Sequence, residues 1–510
     1  MMKKNNIFHS TLFIVLMALL FLPLVQEHVE PFSFKSLNGV SEPTAKPKLT
    51  FGNYASGTFQ NQVEVYIGEN FGFREPVIRL YNLYLWSFFR KTNSHSVVIG
   101  KNNYLFGREV IDDYKGCYMY NYADHLGQLR HNLRNEAIRL RKVQEILLEY
   151  NKHLFVLMEP SKAKVYPEFL PDHIVPTSDH ITAADIYPLL FDSLGVNYLN
   201  FDTWFQQIKD SVDYELYPQT GTHWSNIAAL YATDSILRYM RSVSSYNLPE
   251  LNISPMLFDT NMVPDSDLEN LLNIGRKIRT VPNQYAHFEI SGDTAVSKPS
   301  FLTIGDSYFW NISYHIPLER IFSKHHFWYY NSTIYYDAEH HSTSEVNIAE
   351  QLMNADFVMV SYCTTMLYSM SNSFSSKAIV NLCFDKEEIK KTIQTIVTSI
   401  NASQDWLSNV QEKAAKRGIS VDDMLWEEAE YVLYSQPEPY FPELNTAHPT
   451  SRNNMLRMYD DNDPIGNILR NMQNDAIWME RLKQKATDSG LDLETIMVCD
   501  AEWLYQEKHL

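Results

Sequence analysis

Residues 301–310 read FLTIGDSYFW. The run from Phe301 to Ile304 is apolar and β-branched, the composition of a strand buried on both faces of a sheet. Gly305 ends the run, and Asp306 and Ser307 precede a second apolar stretch. A serine at the carboxyl end of a parallel strand, opening a helix, projects into the crevice where open α/β sheets bind ligands. The free N–H groups at the helix start can stabilise an oxyanion there. Gly-Asp-Ser is equally good turn and N-cap chemistry, so alone it marks a position, not an activity.

Comparable apolar runs recur: HLFVLM (153–158), VNYLN (196–200) and ADFVMVSY (355–362). With helical stretches between them they predict an α/β fold, three layers around a mainly parallel sheet. A helical pattern covers Asn70 to Arg90, and SVVIG (96–100) reads as a short strand. Residues 125–150 form an amphipathic helix whose Arg130, Arg134, Arg139 and Arg141 are expected on a solvated face. The stretch 245–295, rich in Asn, Pro, Asp and Ser, reads as an insertion. Beyond about 400 the texture turns helical. Residues 406–433 match 478–505 at an offset of 72, pairing Trp406 with Trp478 and Gly418 with Gly490. Each copy reads as helix, Gly turn and helix, the second capped by Ser420 or Asp492. Two such hairpins pack on each other or on the body, or serve as a docking module.

The chain has 510 residues, and 45% are apolar, which excludes disorder along its length. The net charge of -18, from 43 basic and 61 acidic residues, argues against nucleic acid as partner. It also favours a neutral over an anionic polymer as substrate. Four cysteines, Cys117, Cys363, Cys383 and Cys499, show no CxxC spacing. No P-loop, GxGxxG or HExxH motif is present, and no cofactor is expected. Asp337, Glu339, His340 and His341, and the pair His325–His326, lack the spacing of a ligand set, so no metal is expected.

Lys3 and Lys4 precede an apolar run from Leu12 to Val25, and acids follow at Glu27 and Glu30. This is the pattern of an exported chain with a signal peptide or a membrane anchor over 1–30. No small-x-small cleavage site follows, which favours the anchor. Residues 31–60 read as a linker, 61–400 as the α/β domain and 401–510 as the helical tail.

A second motif is YPQTGTHWSNIAALYA, 217–232. His223 stands just before Ser225 and a helix, and a serine nucleophile needs an imidazole to take its proton. Loops at one sheet edge would bring His223 to Ser307. Each motif alone is more often structural.

In order, THWS and strand-GDS-helix resemble the SGNH-hydrolase-like domain of AlgX/AlgJ-type polysaccharide O-acetyltransferases. VVIGKNNYLF (97–106), after the NFGFREPVIRLYN helix (70–82), and EPSKAKVYPEFLP (159–171) resemble further family blocks. The resemblance covers roughly residues 60–370. It implies Ser307 as nucleophile, His223 as general base, and acetyl transfer through a serine acyl-enzyme to a cell-surface or secreted polysaccharide. It implies a periplasmic location and an MBOAT-type membrane acyltransferase partner as acetyl donor. Trp224, Tyr308 and Trp310 flank the motifs and are candidates to stack on sugar rings, against the alternative of core burial.

The family's acid lies two positions before the histidine, and here that position is Gly221. Its loss leaves three readings. A backbone carbonyl or another carboxylate, such as Asp202, Asp213 or Asp306, orients His223. The enzyme is a slower Ser-His dyad. Or the site is an impaired glycan-binding or assembly surface. If water replaces the sugar hydroxyl, the protein is an acetyl esterase.

Overall fold

The computed structural model describes residues 2–39, 44–116, 126–176, 181–259, 263–292, 297–441 and 464–489, with isolated positions beyond. Helix α1 (Met2–Val29) opens the chain, followed by α2 (Phe51–Ala55), α3 (Thr58–Asn70) and α4 (Arg74–Phe89). Among the described residues α1 alone is apolar and long enough to cross a membrane, over His9–Val29. An antiparallel ribbon, β1 (Val97–Ile99) with β2 (Leu105–Gly107), leads into α5 (Arg108–Lys115) and α6 (Leu126–Glu149).

The central sheet then starts with β3 (His153–Glu159) and β4 (Tyr198–Asn200). A separate two-stranded antiparallel sheet follows, β5 (Glu250–Asp259) with β6 (Gln284–Ser291). The central sheet is completed by β7 (Ser300–Gly305), β8 (Lys324–Tyr329), β9 (Thr333–Tyr335) and β10 (Phe357–Cys363), in spatial order β4-β3-β10-β7-β8-β9. All neighbours pair in parallel except β9, which returns antiparallel on β8. The chain thus folds as the expected α/β domain. The pair β8–β9 is missing from the sequence reading, because the histidines of KHHFWYY break its apolar pattern.

Alternation along the strands feeds two cores. Leu154, Val156, Leu302, Ile304, Val358 and Val360 point to one face. Phe155, Leu157, Phe301, Phe327 and Met359 point to the other. Each such side chain contributes roughly 1.5–3 kcal/mol on burial. The first face is covered by α6, by α8 (Ala183–Leu194) and by α14 (Phe374–Cys383). Helix α6 does this through Leu133, Ala137, Leu140, Val143 and Leu147, a stripe at 3–4 residue spacing. The second face carries α10 (Asn226–Val243) and α12 (Phe309–His315). Shorter helices α7 (Lys162–Val165), α9 (Phe201–Ile208) and α13 (Ile348–Asn354) lie around the sheet, and α11 (Asp267–Leu271) packs against β2.

The arginines of α6 correct the expected solvated face. Arg134 and Arg139 are buried, and Arg139 forms a bidentate pair with Glu438, both contacts 2.7 Å. The tail therefore gives a buried guanidinium its counter-charge. The side chain of Arg130 lies outside the described residues.

The tail holds α15 (Lys386–Ala402), α16 (Gln404–Arg417), α17 (Val421–Ser435), α18 (Pro464–Asn474) and α19 (Ala476–Ser489). Gly418 ends α16 in the left-handed conformation and Ser420 caps α17. The offset of 72 carries α16 onto α19 and the ion pair Lys413–Glu428 onto Lys485–Asp500. Most of the second copy after Ser489, Asp492 included, lies outside the described residues. Cys363 and Cys383 are free thiols, and Cys117 and Cys499 lie outside those residues.

Replacing Arg139 with Ala strands the Glu438 carboxylate, and the expected loss is about 1–3 kcal/mol in urea unfolding. Lys at 139 should recover only part, because it cannot make the forked contact. A loss under about 0.5 kcal/mol would mean the tail is not held by this pair.

Candidate active site

Ser307 lies in the turn between β7 and α12, at the carboxyl end of the parallel strands. The turn is fixed by Asp306. Its Oδ1 accepts the Tyr308 N–H at 3.0 Å and its Oδ2 accepts the Cys363 N–H at 2.8 Å. Gly305 lets β7 approach β10, since a Cβ there would sit 2.6 Å from the Ser361 carbonyl oxygen. Beneath lies Glu159, fully buried, which accepts the Ser361 hydroxyl. Burial, reinforced by the Asp306 charge, pushes the Glu159 carboxyl well above the usual range.

His223 comes from the loop before α10. Ser225 caps that helix by accepting the Ala228 N–H. Lys162 anchors the loop from below. It is fully buried, and its Nζ donates to the carbonyls of Pro218 (2.7 Å), Gln219 (3.2 Å) and Gly221 (2.7 Å). Burial pulls its ammonium down to about 7 against the opposing charges of Asp267 and Glu215. The two motifs interlock. Trp224 Nε1 donates to the Tyr308 carbonyl, Asn311 Nδ2 donates to the Trp224 carbonyl, and the Tyr308 hydroxyl donates to the Thr222 carbonyl. His223 Nε2 stands 2.9 Å from Ser307 Oγ.

The other ring nitrogen, Nδ1, faces Asp267 Oδ2 at 3.6 Å, an ion-pair separation longer than a hydrogen bond. Asp267 is held by its other oxygen, which accepts the N–H groups of Thr222 and Leu268, both at 2.8 Å. It sits at the head of α11, within the stretch read as an insertion. Gly221 has a steric role here. A Cβ at that position would lie 2.7 Å from Pro218 and 3.0 Å from the Asp265 backbone. The segment carrying Asp267 occupies the space that an acid side chain at 221 would need.

The carboxylates considered from sequence stand elsewhere. Asp202 accepts the Ser161 N–H and pairs with Lys164, Asp306 is spent on two backbone donors, and Asp213 is exposed in a turn. None of the three orients His223. Of the aromatic candidates, Trp224 and Tyr308 are buried, Tyr308 edge-on to the His223 ring, and neither offers a face to a sugar. Trp310 is partly buried among Phe327, Tyr335 and Tyr314. Asp337 pairs with His340 at 3.0 Å and with His326 at 3.7 Å, away from Ser307.

The fold and this edge-of-sheet serine define an SGNH hydrolase-like α/β domain. Residues 97–308 match the family model of the SGNH hydrolase-like domain of acetyltransferase AlgX. Solved structures with a similar fold include the O-acetyltransferase domain of Pseudomonas putida AlgJ. It is 15% identical, covers 58% of this chain and 98% of that one, and has a TM-score of 0.37. Pseudomonas aeruginosa AlgX is 13% identical over 55% of this chain and 66% of its own, with a TM-score of 0.37. Bacillus cereus PatB1 is 13% identical over 53% and 96%, with a TM-score of 0.34. No curated protein matches the chain.

Sequence reasoning missed Asp267, Glu159 and Lys162. Asp267 lies among closely spaced acids in VPDSDLEN with no local signal. Lys162 and Glu159 belong to the EPSKAKVY block, where a buried charge was the available clue.

Asp265 gives a pH test. Both its oxygens are buried without a hydrogen-bond partner, and burial, then the Asp267 charge, pushes its carboxyl up to about 7. Folded chains then bind a proton that unfolded chains have released, so stability falls as pH rises from about 4 to 7. Asp265→Asn should remove that fall and stabilise the chain above pH 7 by a few kcal/mol at most. Parallel stability-versus-pH curves for the two chains would contradict it.

Proposed function

We propose that the chain is an exported O-acetyltransferase acting on hydroxyls of a cell-surface or secreted polysaccharide through a serine acyl-enzyme. The observation that carries this is the 2.9 Å contact between His223 Nε2 and Ser307 Oγ at the carboxyl edge of the sheet. The matching family of acetyltransferases supports the reaction class.

In this reading Nε2 of His223 takes the Ser307 proton as Oγ attacks the acetyl carbonyl carbon. The imidazolium returns that proton to the departing donor group, leaving acetyl-serine. A sugar hydroxyl then attacks, His223 takes its proton, and the ester leaves as Ser307 recovers a proton. Asp267 steadies the imidazolium from the Nδ1 side. At 3.6 Å the carboxylate acts on the ring as a nearby charge and not as a hydrogen-bond acceptor. Gly221 was the ground for a non-catalytic glycan-binding role, and a carboxylate facing Nδ1 supports the catalytic reading over it. Water in place of the sugar hydroxyl would make the same residues an acetyl esterase.

The membrane enters through α1, which we read as an anchor holding the domain on the periplasmic side. An MBOAT-type acyltransferase is the proposed acetyl donor, and the net charge of -18 favours a neutral glycan as acceptor.

The test is turnover of a chromogenic acetyl ester by the full chain, with a neutral oligosaccharide as acceptor and mass detection of its acetylation. Ser307→Ala and His223→Ala should reduce kcat to background. Asp267→Asn should lower kcat roughly 10²–10⁴-fold, while Asp202→Asn and Asp213→Asn should leave the chemical step within about tenfold. Full turnover in Ser307→Ala would end the acyl-enzyme reading, and full turnover in Asp267→Asn would remove its acid.

A further inference from the structure

Helix α4 shows two unlike faces. On one side Asn82 donates to the Leu272 carbonyl at 2.9 Å, and buried Trp86 packs with Leu268 and Leu272 of the α11 segment. On the other, Val77, Leu80, Tyr81, Tyr84 and Phe88 form a continuous helical stripe, all exposed, Leu80 to 69% and Phe88 to 74%. An apolar stripe of this length in water needs an occupant.

Three observations point to lipid. First, α1 ends against the head of α4. A Cβ on Gly72 would lie 2.3 Å from the Pro23 carbonyl oxygen and 2.7 Å from the Glu27 nitrogen. The chain between the helices is stitched down. Gln26 exchanges hydrogen bonds with the Phe32 backbone, and Arg79 donates to the carbonyls of Lys35 and Ser36. The end of α1 is therefore held beside the head of α4. Second, charge is complementary to an anionic surface. Residues 31–91 carry seven basic and four acidic residues in a chain of net charge -18. Third, the stripe is aromatic, with Arg90 and Lys91 at its end and Arg90 over the Trp86 ring at 5.1 Å. Aromatic rings and basic ends are the composition of a helix lying in a membrane interface.

We propose that α4 lies in the lipid headgroup interface of an anionic bilayer, its stripe from Val77 to Phe88 directed into the acyl boundary. The proposal rests on the reading of α1 as a retained anchor. It has a consequence for the site. The opposite face of α4 holds α11, and α11 begins with Asp267. Two helix layers of about 10 Å each then separate the imidazole from lipid, so the serine works at the membrane surface.

The experiment uses the full chain in nanodiscs of phosphatidylcholine and phosphatidylglycerol. An environment-sensitive fluorescent amino acid is placed in turn at position 80, at position 20 in α1, and at position 189, exposed on α8. Position 88 replaces 80 if that chain fails to fold. Headgroup-labelled quencher lipid should reduce emission about twofold or more at 80 and leave 189 unchanged, while acyl-chain quencher acts at 20. Quenching at 20 without quenching at 80 overturns the proposal and leaves the anchor standing, with the stripe then open to a protein partner. Quenching at neither overturns both.

Discussion

A carboxylate taken out of water must be given donors, and Asp306 receives both of its donors from backbone. One is the Tyr308 N–H, inside the nucleophile turn, and the other is the Cys363 N–H, at the end of the neighbouring strand β10. Ser307 is thereby fixed to the sheet and not to a loop. The residue beneath obeys the same rule. Glu159 stands close to Asp306, and burial together with that neighbouring charge pushes its carboxyl well above the usual range. The Ser361 hydroxyl, on β10 between the two, completes the set.

The base is set by the opposite kind of constraint. Three consecutive-loop carbonyls converge on the buried ammonium of Lys162, which shapes the turn before His223 from within. The α10 cap at Ser225 fixes the turn from the other side. Between these two anchors Thr222 is held by the Asp267 carboxylate and the Tyr308 hydroxyl, and the Trp224 carbonyl accepts from Asn311. Two elements, each with its own anchor, are thus locked together around the Ser-His contact.

How much of this was legible follows from where each constraint resides. The strands β3, β7 and β10 were readable because a sheet buried on both faces leaves uninterrupted apolar runs. Ser307 and His223 were readable because each closes such a run or opens a helix. Asp267 was not, since its role comes from a loop contact across 44 residues of chain, and the local sequence records only another aspartate in an acidic chain. Gly221 recorded the loss of an acid without recording its replacement. The burial of Trp224 and Tyr308 was hidden for a similar reason, because an aromatic ring reads the same in a core as beside a sugar. Arg139 misled because its partner Glu438 lies 299 residues away.

Moving the acid off the histidine's own loop changes what controls the site. In the Asp-x-His arrangement the acid and base share one turn, so their geometry is local. Here the carboxylate that faces Nδ1 belongs to α11. That helix is held by Asn82 and Trp86 of α4, while Asn38, in the segment after α1, bonds the chain at Asn270 and Asn273. The orientation of the imidazole is therefore linked to the N-terminal helices, which in the α/β domain alone would be mere attachments. The gap of 3.6 Å between Nδ1 and Asp267 is the looser end of that linkage. The helix whose packing holds the α11 segment in place is also the one whose outer face is apolar.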